Sequence, residues 1–173
     1  MTIRLAKEKD LASVSRIYQH ICRQEGIGAI HTGWQETIYP TIETARTSYA
    51  ANELFVYEEN GEILASAILN QRQPEAYTQG NWRYPADAKE VMVLHTLAVE
   101  PAFSHQGIGK TFLRFFEQYA KENGSTVLRL DTNVINQTAR AFYASFGYRE
   151  AGEIPCLFNG IPGVTLVLLE KKA

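Results

Sequence analysis

Two glycines separated by one residue, Gly107 and Gly109, stand where an apolar run gives way to a helical pattern, and Lys110 follows them. Backbone N–H groups that converge at the opening of a helix attract an anion, and the helix dipole adds to that attraction. The pair reads as a seat for a phosphorylated ligand, or as a tight strand-to-helix junction. Position 112 is Phe, which leaves GxGxxG incomplete, and no Gly-Lys-Ser/Thr follows the spacer that a P-loop requires. A dinucleotide or a nucleoside triphosphate is therefore disfavoured. Upstream, His95 interrupts the apolar run from Val91 to Val99. An imidazole ordinarily titrates near neutrality and can exchange a proton, unless a neighbouring carbonyl holds it as a core residue. Cys22 and Cys156 form no CxxC and have no histidine pair nearby, so neither a disulfide framework nor a zinc site is indicated and no metal is expected.

These residues need a frame. Val91 to Val99 is nearly all apolar and ends at Glu100-Pro101, as a central strand buried on both faces does. Ile108, Phe112, Phe115, Phe116 and Tyr119 then fall on one helical face, and Asn123-Gly124 stops the helix. A strand from Thr126 to Asp131 follows, so strand, helix and strand make a parallel pair. Ala139, Phe142, Tyr143 and Phe146 predict a short helix closed by Gly147. Two terminal strands, Tyr148 to Ile154 and Val164 to Leu169, are expected on either side of a loop from Pro155 to Gly163.

Ahead of this unit, Ile3 and Leu5 suggest a short strand, with Asp10 as the N-cap of a helix carrying Leu11, Val14, Ile17, Tyr18 and Ile21. The Gly26-Ile27-Gly28 run is a flexible connection. Trp34 to Tyr39 and Thr41 to Asn52 read as further helical pieces. Asn60-Gly61 between Leu54–Tyr57 and Ile63–Leu69 predicts a hairpin. From Gln71 to Lys89 the chain is polar and irregular, a long loop whose Tyr77, Trp82 and Tyr84 either line a pocket or fold back as a satellite cluster.

A length of 173 residues and 45% hydrophobic content suit one domain spanning 1–173. A net charge of −2, evenly scattered, offers no footprint for nucleic acid or an anionic membrane. The N-terminus lacks the apolar core of a signal peptide, and no stretch approaches membrane-spanning length, so a cytoplasmic location is expected.

The ordered set Leu94-His95-Thr96-Leu97-Ala98-Val99-Glu100-Pro101, Gln106-Gly107-Ile108-Gly109-Lys110, Leu128-Arg129-Leu130-Asp131, Asn136 and Ala139 to Tyr148 resembles the GNAT superfamily of acyl-CoA-dependent N-acetyltransferases. The likeness is tight over 91–150 and loose before it. It implies an α/β (α+β) fold with a mixed, mostly antiparallel central sheet, a parallel central strand pair and flanking helices. It implies acetyl-CoA as co-substrate, its pyrophosphate on the main chain of Gln106, Gly107, Ile108, Gly109 and Lys110, and its pantetheine arm along Leu97, Ala98 and Val99. Asn136 matches the family residue that touches the same arm. Seven residues, about two helical turns, separate it from Tyr143, so both side chains can face one ligand. Ser104 stands where the family loop usually begins with Gln or Arg, and His105 where a further glycine is common.

Attack of an amine on a thioester needs the neutral amine, whereas an alkyl ammonium titrates near ~10. His95 is the first candidate for the proton acceptor, and Glu90 or Glu100 could act through water. Charge building on the thioester oxygen would be met by an N–H near Leu97 or Ala98, which requires a bulge or splay of the central strand. Tyr143 matches the family's general acid for the leaving thiolate. The acceptor is expected to be a small-molecule or peptide amine, in a pocket drawn from Trp34, Tyr39, Tyr77, Trp82, Tyr84 and Phe158. A homodimer is compatible with the sequence. Open alternatives are an acyl-CoA sensor without catalysis, another acyl donor, a hydroxyl acceptor, or a protein-binding module on the same scaffold.

Overall fold

A computed structural model describes residues 1–173. Four helices and seven strands follow the order β1 (Thr2–Leu5), α1 (Leu11–Gly26), α2 (Ile42–Ala50), β2 (Leu54–Glu59), β3 (Glu62–Asn70), β4 (Val91–Val99), α3 (Ile108–Glu122), β5 (Val127–Asn133), α4 (Gln137–Ser145), β6 (Arg149–Phe158) and β7 (Ile161–Lys172). The strands form one sheet in the order β1-β2-β3-β4-β5-β7-β6. Only β4 and β5 run parallel; every other neighbouring pair is antiparallel. This is the mixed sheet that the sequence predicts, with the strand-helix-strand unit at its centre.

Alternation along the strands divides the core between the two faces. Phe112, Leu113 and Phe116 of α3, with Tyr143 of α4, bury against Phe55, Leu94, Leu128, Leu130 and Leu169. Complete burial of each of these large side chains contributes roughly 1.5–3 kcal/mol. On the opposite face Val14, Ile17, Tyr18 and Ile21 of α1 cover Leu54, Val56 and Ile68. The remainder of that face, from Val91 and Val93 to Leu166 and Leu168, is covered by Ala76 and Tyr77 of the connection between β3 and β4.

Two local expectations are corrected and one holds in position only. Asp10 is the N-cap residue of α1, as expected, but its side chain bonds no α1 amide: its carboxylate accepts the Lys7 N–H at 2.8 Å and pairs with Arg4 at 2.6 Å. Trp34 to Tyr39 is no helix but a turn closed by a bridge between Gln35 and Tyr39. The terminal strands run on through the expected loop to a turn at Asn159-Gly160, where both residues have positive φ. That dipeptide favours a two-residue hairpin turn, as Asn60-Gly61 does.

The connection from Gln71 to Lys89 is ordered by buried polar contacts. Glu170, fully buried on β7, accepts the Arg83 N–H at 2.6 Å and pairs with Arg149 at 3.1 Å. Arg129 donates to Gln73 and to the Tyr84 carbonyl and lies 4.0 Å from the Trp82 ring centre. An internal charge is tolerable only with such partners, so the pairing fixes the segment as a wall.

Candidate active site

The parallel pair is joined only from Val91↔Val127 to Leu94↔Leu130. Beyond that point β5 stays paired with β7 as far as Asn133, while β4 keeps to β3, so the two central strands part. A bulge accompanies the parting: Ser66 pairs with Ala98 but Ile68 pairs with His95, which puts one extra residue into β4. Thr96 and Leu97 have no register partner on either side, and Thr96 adopts φ 50, unusual for a β-branched residue. The splay foreseen for the central strand is present.

Where the strands part, two cavities meet. The smaller, of about 100 Å³, is lined by Leu97, Asn136, Ala139 and Tyr143. The larger, of about 660 Å³, is lined by His95, Asn70, Arg72, Gln73, Thr78 and Cys156. Tyr39, Leu94, Thr96, Asp131, Phe158 and Leu166 border both. Tyr143 comes from the helix on one face of the sheet and Asp131 from the other, and the gap between β4 and β5 lets both reach one space.

Asn136 is the N-cap of α4, its Oδ1 accepting the Ala139 N–H at 3.0 Å, and its amide nitrogen has no protein acceptor. The Tyr143 hydroxyl makes no hydrogen bond within the protein, and burial pushes its phenol above the usual tyrosine range, with the nearby Asp131 charge adding to the shift. It is thus a protonated group throughout the neutral range. Burial pushes His95 down to about 4, while its Nε2 lies 3.0 Å from the Asn70 Oδ1. Burial pushes Asp131 the other way, up to about 6, against the lowering effect of a Tyr77 hydroxyl that donates to it at 2.8 Å. In the sequence Asp131 ends a strand and belongs to the family-like set without a chemical role of its own; an acidic residue ending a buried parallel strand is the signal that could have found it.

Trp34, Tyr39 and Phe158 line the cavities edge to face, with ring centres 6.4 and 5.3 Å apart, and Tyr39 shares a short hydrogen bond with Thr96. Trp82 and Tyr84 belong to the satellite cluster instead, and Tyr77 stands behind Asp131. Glu100 is tied to His20 at 2.9 Å, and Glu90 folds back on the Asp87 N–H at 3.1 Å.

At the mouth of α3, none of the amides of His105, Gln106, Gly107, Ile108, Gly109 and Lys110 donates to a backbone or side-chain acceptor. Gly107 is the N-cap with φ 84, and His105 also adopts a left-handed φ of 63. That conformation explains why glycine suits position 105, and histidine is among the residues that tolerate it. A side chain added at Gly109 would come 3.8 Å from Phe142 and 3.9 Å from Val99, so this mouth adjoins α4 and the end of β4. Ala98 is fully buried and paired with Ser66, whereas Val99 is half-exposed beside the mouth. A row of free amides at a helix N-terminus suits the diphosphate of a coenzyme, and the gap between β4 and β5 suits its extended arm. No three His, Cys, Asp or Glu side chains group as metal ligands, and no helix is long and apolar enough to cross a membrane.

The sequence pattern of the acetyltransferase (GNAT) family matches residues 14–148. The chain is 26% identical over 162 residues to the L-methionine sulfoximine/L-methionine sulfone acetyltransferase of Salmonella typhimurium, covering 90% of this chain and 84% of that one. Among solved structures, a GNAT-family acetyltransferase from Streptococcus agalactiae superposes with a TM-score of 0.79 at 22% identity, over 99% of this chain and 95% of the other. A Salmonella typhimurium protein solved with its cofactor acetyl-CoA superposes with a TM-score of 0.70 at 21% identity, over 99% and 93%.

Proposed function

Since the chain belongs to the acetyltransferase (GNAT) family and is an acyltransferase, we propose that it moves the acetyl group of acetyl-CoA onto a primary amine, as one domain of residues 1–173. The observation that carries the donor assignment is the row of unengaged amides from His105 to Lys110 at the mouth of α3. Gln106 through Lys110 would hold the diphosphate there, with the arm lying in the gap along Leu97, Ala98 and Val99 and past Asn136. Bound in this way, the coenzyme supplies an activated acyl thioester.

The remaining chemistry falls to the chain. Tyr143 donates the proton that the departing thiolate needs; its hydroxyl, protonated at neutral pH, unengaged within the protein and bordering the smaller cavity, supports that role. The N–H of Leu97, in the bulge, meets the charge that builds on the thioester oxygen. Two groups can take the proton of the amine. His95 is the one anticipated from its residue type, but an imidazole pushed down to about 4 is a weak base at neutral pH. Asp131, raised to about 6 and bordering both cavities, is better matched, and we assign the proton to it, with His95 acting as an uncharged wall residue beside it.

The larger cavity holds the acceptor. Its volume suits a small molecule or the end of a peptide. The relative that acts on L-methionine sulfoximine and sulfone makes small amino-acid amines the first acceptors to try. Release of free thiol from acetyl-CoA, followed with amino-acid, alkylamine and peptide panels, tests the proposal. Saturable release with at least one amine is expected; tight binding of acetyl-CoA with no release across all panels would overturn catalysis on amines.

A further inference from the structure

We propose that Tyr77 is a positioning residue for the reaction: its hydroxyl pins one oxygen of the Asp131 carboxylate and so presents the other to the acceptor amine. The inference rests on the assignment of Asp131 as proton acceptor. It starts from geometry. The Tyr77 hydroxyl donates to Asp131 Oδ2 at 2.8 Å and is the one hydrogen bond that this carboxylate receives from the protein. Oδ1 has no protein donor, on a residue that borders both cavities.

Tyr77 is itself held from three sides. Its ring is 2% exposed within the core cluster that Val93 and Leu166 share. The Trp82 indole N–H donates to its carbonyl at 2.7 Å, and the two rings lie 5.3 Å apart. Glu170 and Arg129 then anchor the chain around Trp82 to β7 and β5. A phenol fixed this firmly has one place to put its proton. The segment from Gln71 to Lys89, irregular as it is, therefore has a task beyond walling the cavity, which is to carry this donor to the back of the carboxylate.

Besides Tyr77, the groups that respond to the Asp131 charge are uncharged at neutral pH. Tyr39 precedes α2, Tyr143 lies on α4 and Cys156 on β6; burial raises the pKa of each, and the Asp131 charge adds to each shift. His95, across the gap on β4, is pushed down by burial. Arg129 shares the strand two residues back, but its guanidinium points to Gln73 and the Tyr84 carbonyl. Glu75 and Arg72 line the same cavity, Arg72 being paired with Glu53. The Tyr77 hydroxyl is thus the direct contact that stabilises the charged form and sets its orientation.

The test compares the pH dependence of kcat/KM for the whole chain, Tyr77→Phe and Asp131→Asn, with the best amine from the panels and saturating acetyl-CoA. Loss of a hydrogen bond to a charged group should move the acid limb of Tyr77→Phe upward by about one pH unit. Turnover on the plateau above the limb should fall about tenfold as the carboxylate loses its orientation, while the KM for acetyl-CoA is unchanged. A limb and plateau equal to those of the parent overturn the inference. Wild-type activity in Asp131→Asn would sink the base assignment itself, a separate result. Should Tyr77→Phe not fold, 3-fluorotyrosine at position 77, a stronger donor, should move the limb downward, and an unmoved limb overturns the proposal equally.

Discussion

Replacing Asp131 by Asn should make the protein more stable and nearly inactive at once. Burial raises this carboxyl from 3.8 to about 6. A difference of that size corresponds, after allowance for its partial contact with the cleft, to roughly 2 kcal/mol of penalty on the charged form. The sign follows from linkage. A carboxyl whose folded pKa lies above its unfolded value favours the fold below about 3.8, and that benefit is lost as pH rises through about 6. Asparagine has the same shape, still accepts the Tyr77 hydroxyl and carries no charge. Above about pH 6 the variant should therefore gain roughly 2 kcal/mol, or roughly 4–8 °C in Tm for a chain of this size. Towards pH 4 the two proteins should converge. Over the same range, turnover should fall by about 10² or more, since no base remains. In the parent, kcat/KM should drop about tenfold between pH 7 and pH 5, the acid limb of a group titrating near 6. Paired thermal melts and initial rates across pH decide it. An Asn variant less stable than the parent at pH 7, or one that keeps its rate, refutes the reasoning, and a limb near 4 would return the proton to His95.

Four further outcomes follow from the same geometry. Tyr143→Phe should lower kcat by about 10² with the affinity for acetyl-CoA nearly intact, because the hydroxyl that donates to the thiolate is lost and the ring remains; calorimetric binding beside single-turnover rates checks it. Gly107→Ala forces a methyl into the left-handed φ of 84 at the N-cap of α3 and should cost roughly 1–2 kcal/mol in urea unfolding and weaken acetyl-CoA binding. Gly109→Ala, whose methyl meets only ordinary contacts, should leave stability within roughly 1 kcal/mol. Glu170→Ala leaves the Arg83 N–H and Arg149 without their buried acceptor and should cost roughly 3 kcal/mol, with amine KM rising as the wall loosens; an unchanged KM would detach that segment from the acceptor cavity.

Much of the frame was legible where the signal is local. The period of Ile108, Phe112, Phe116 and Tyr119 made α3, and the apolar run of β4 placed it at the centre of the sheet. Asn60-Gly61 marked the first hairpin, whereas the same dipeptide at 159–160 lies among prolines and glycines that read as a loop from Pro155 to Gly163. Trp34 to Tyr39 shows the limit: its apolar spacing suits a helix, yet Trp34 packs on Tyr18 and Tyr39 on Phe158, partners far along the chain.

By itself the sequence determined the order of the elements, the glycine mouth of α3 and the spacing of Asn136 from Tyr143, since propensity, periodicity and turn chemistry act over a few residues. Tertiary structure alone decided which groups meet. Tyr143 and Asp131 belong to opposite faces of the sheet and share a cleft only because β4 bulges and parts from β5. The same burial that makes His95 a poor base lifts Asp131 towards neutrality, and desolvation depends on the whole surrounding fold rather than on residue type.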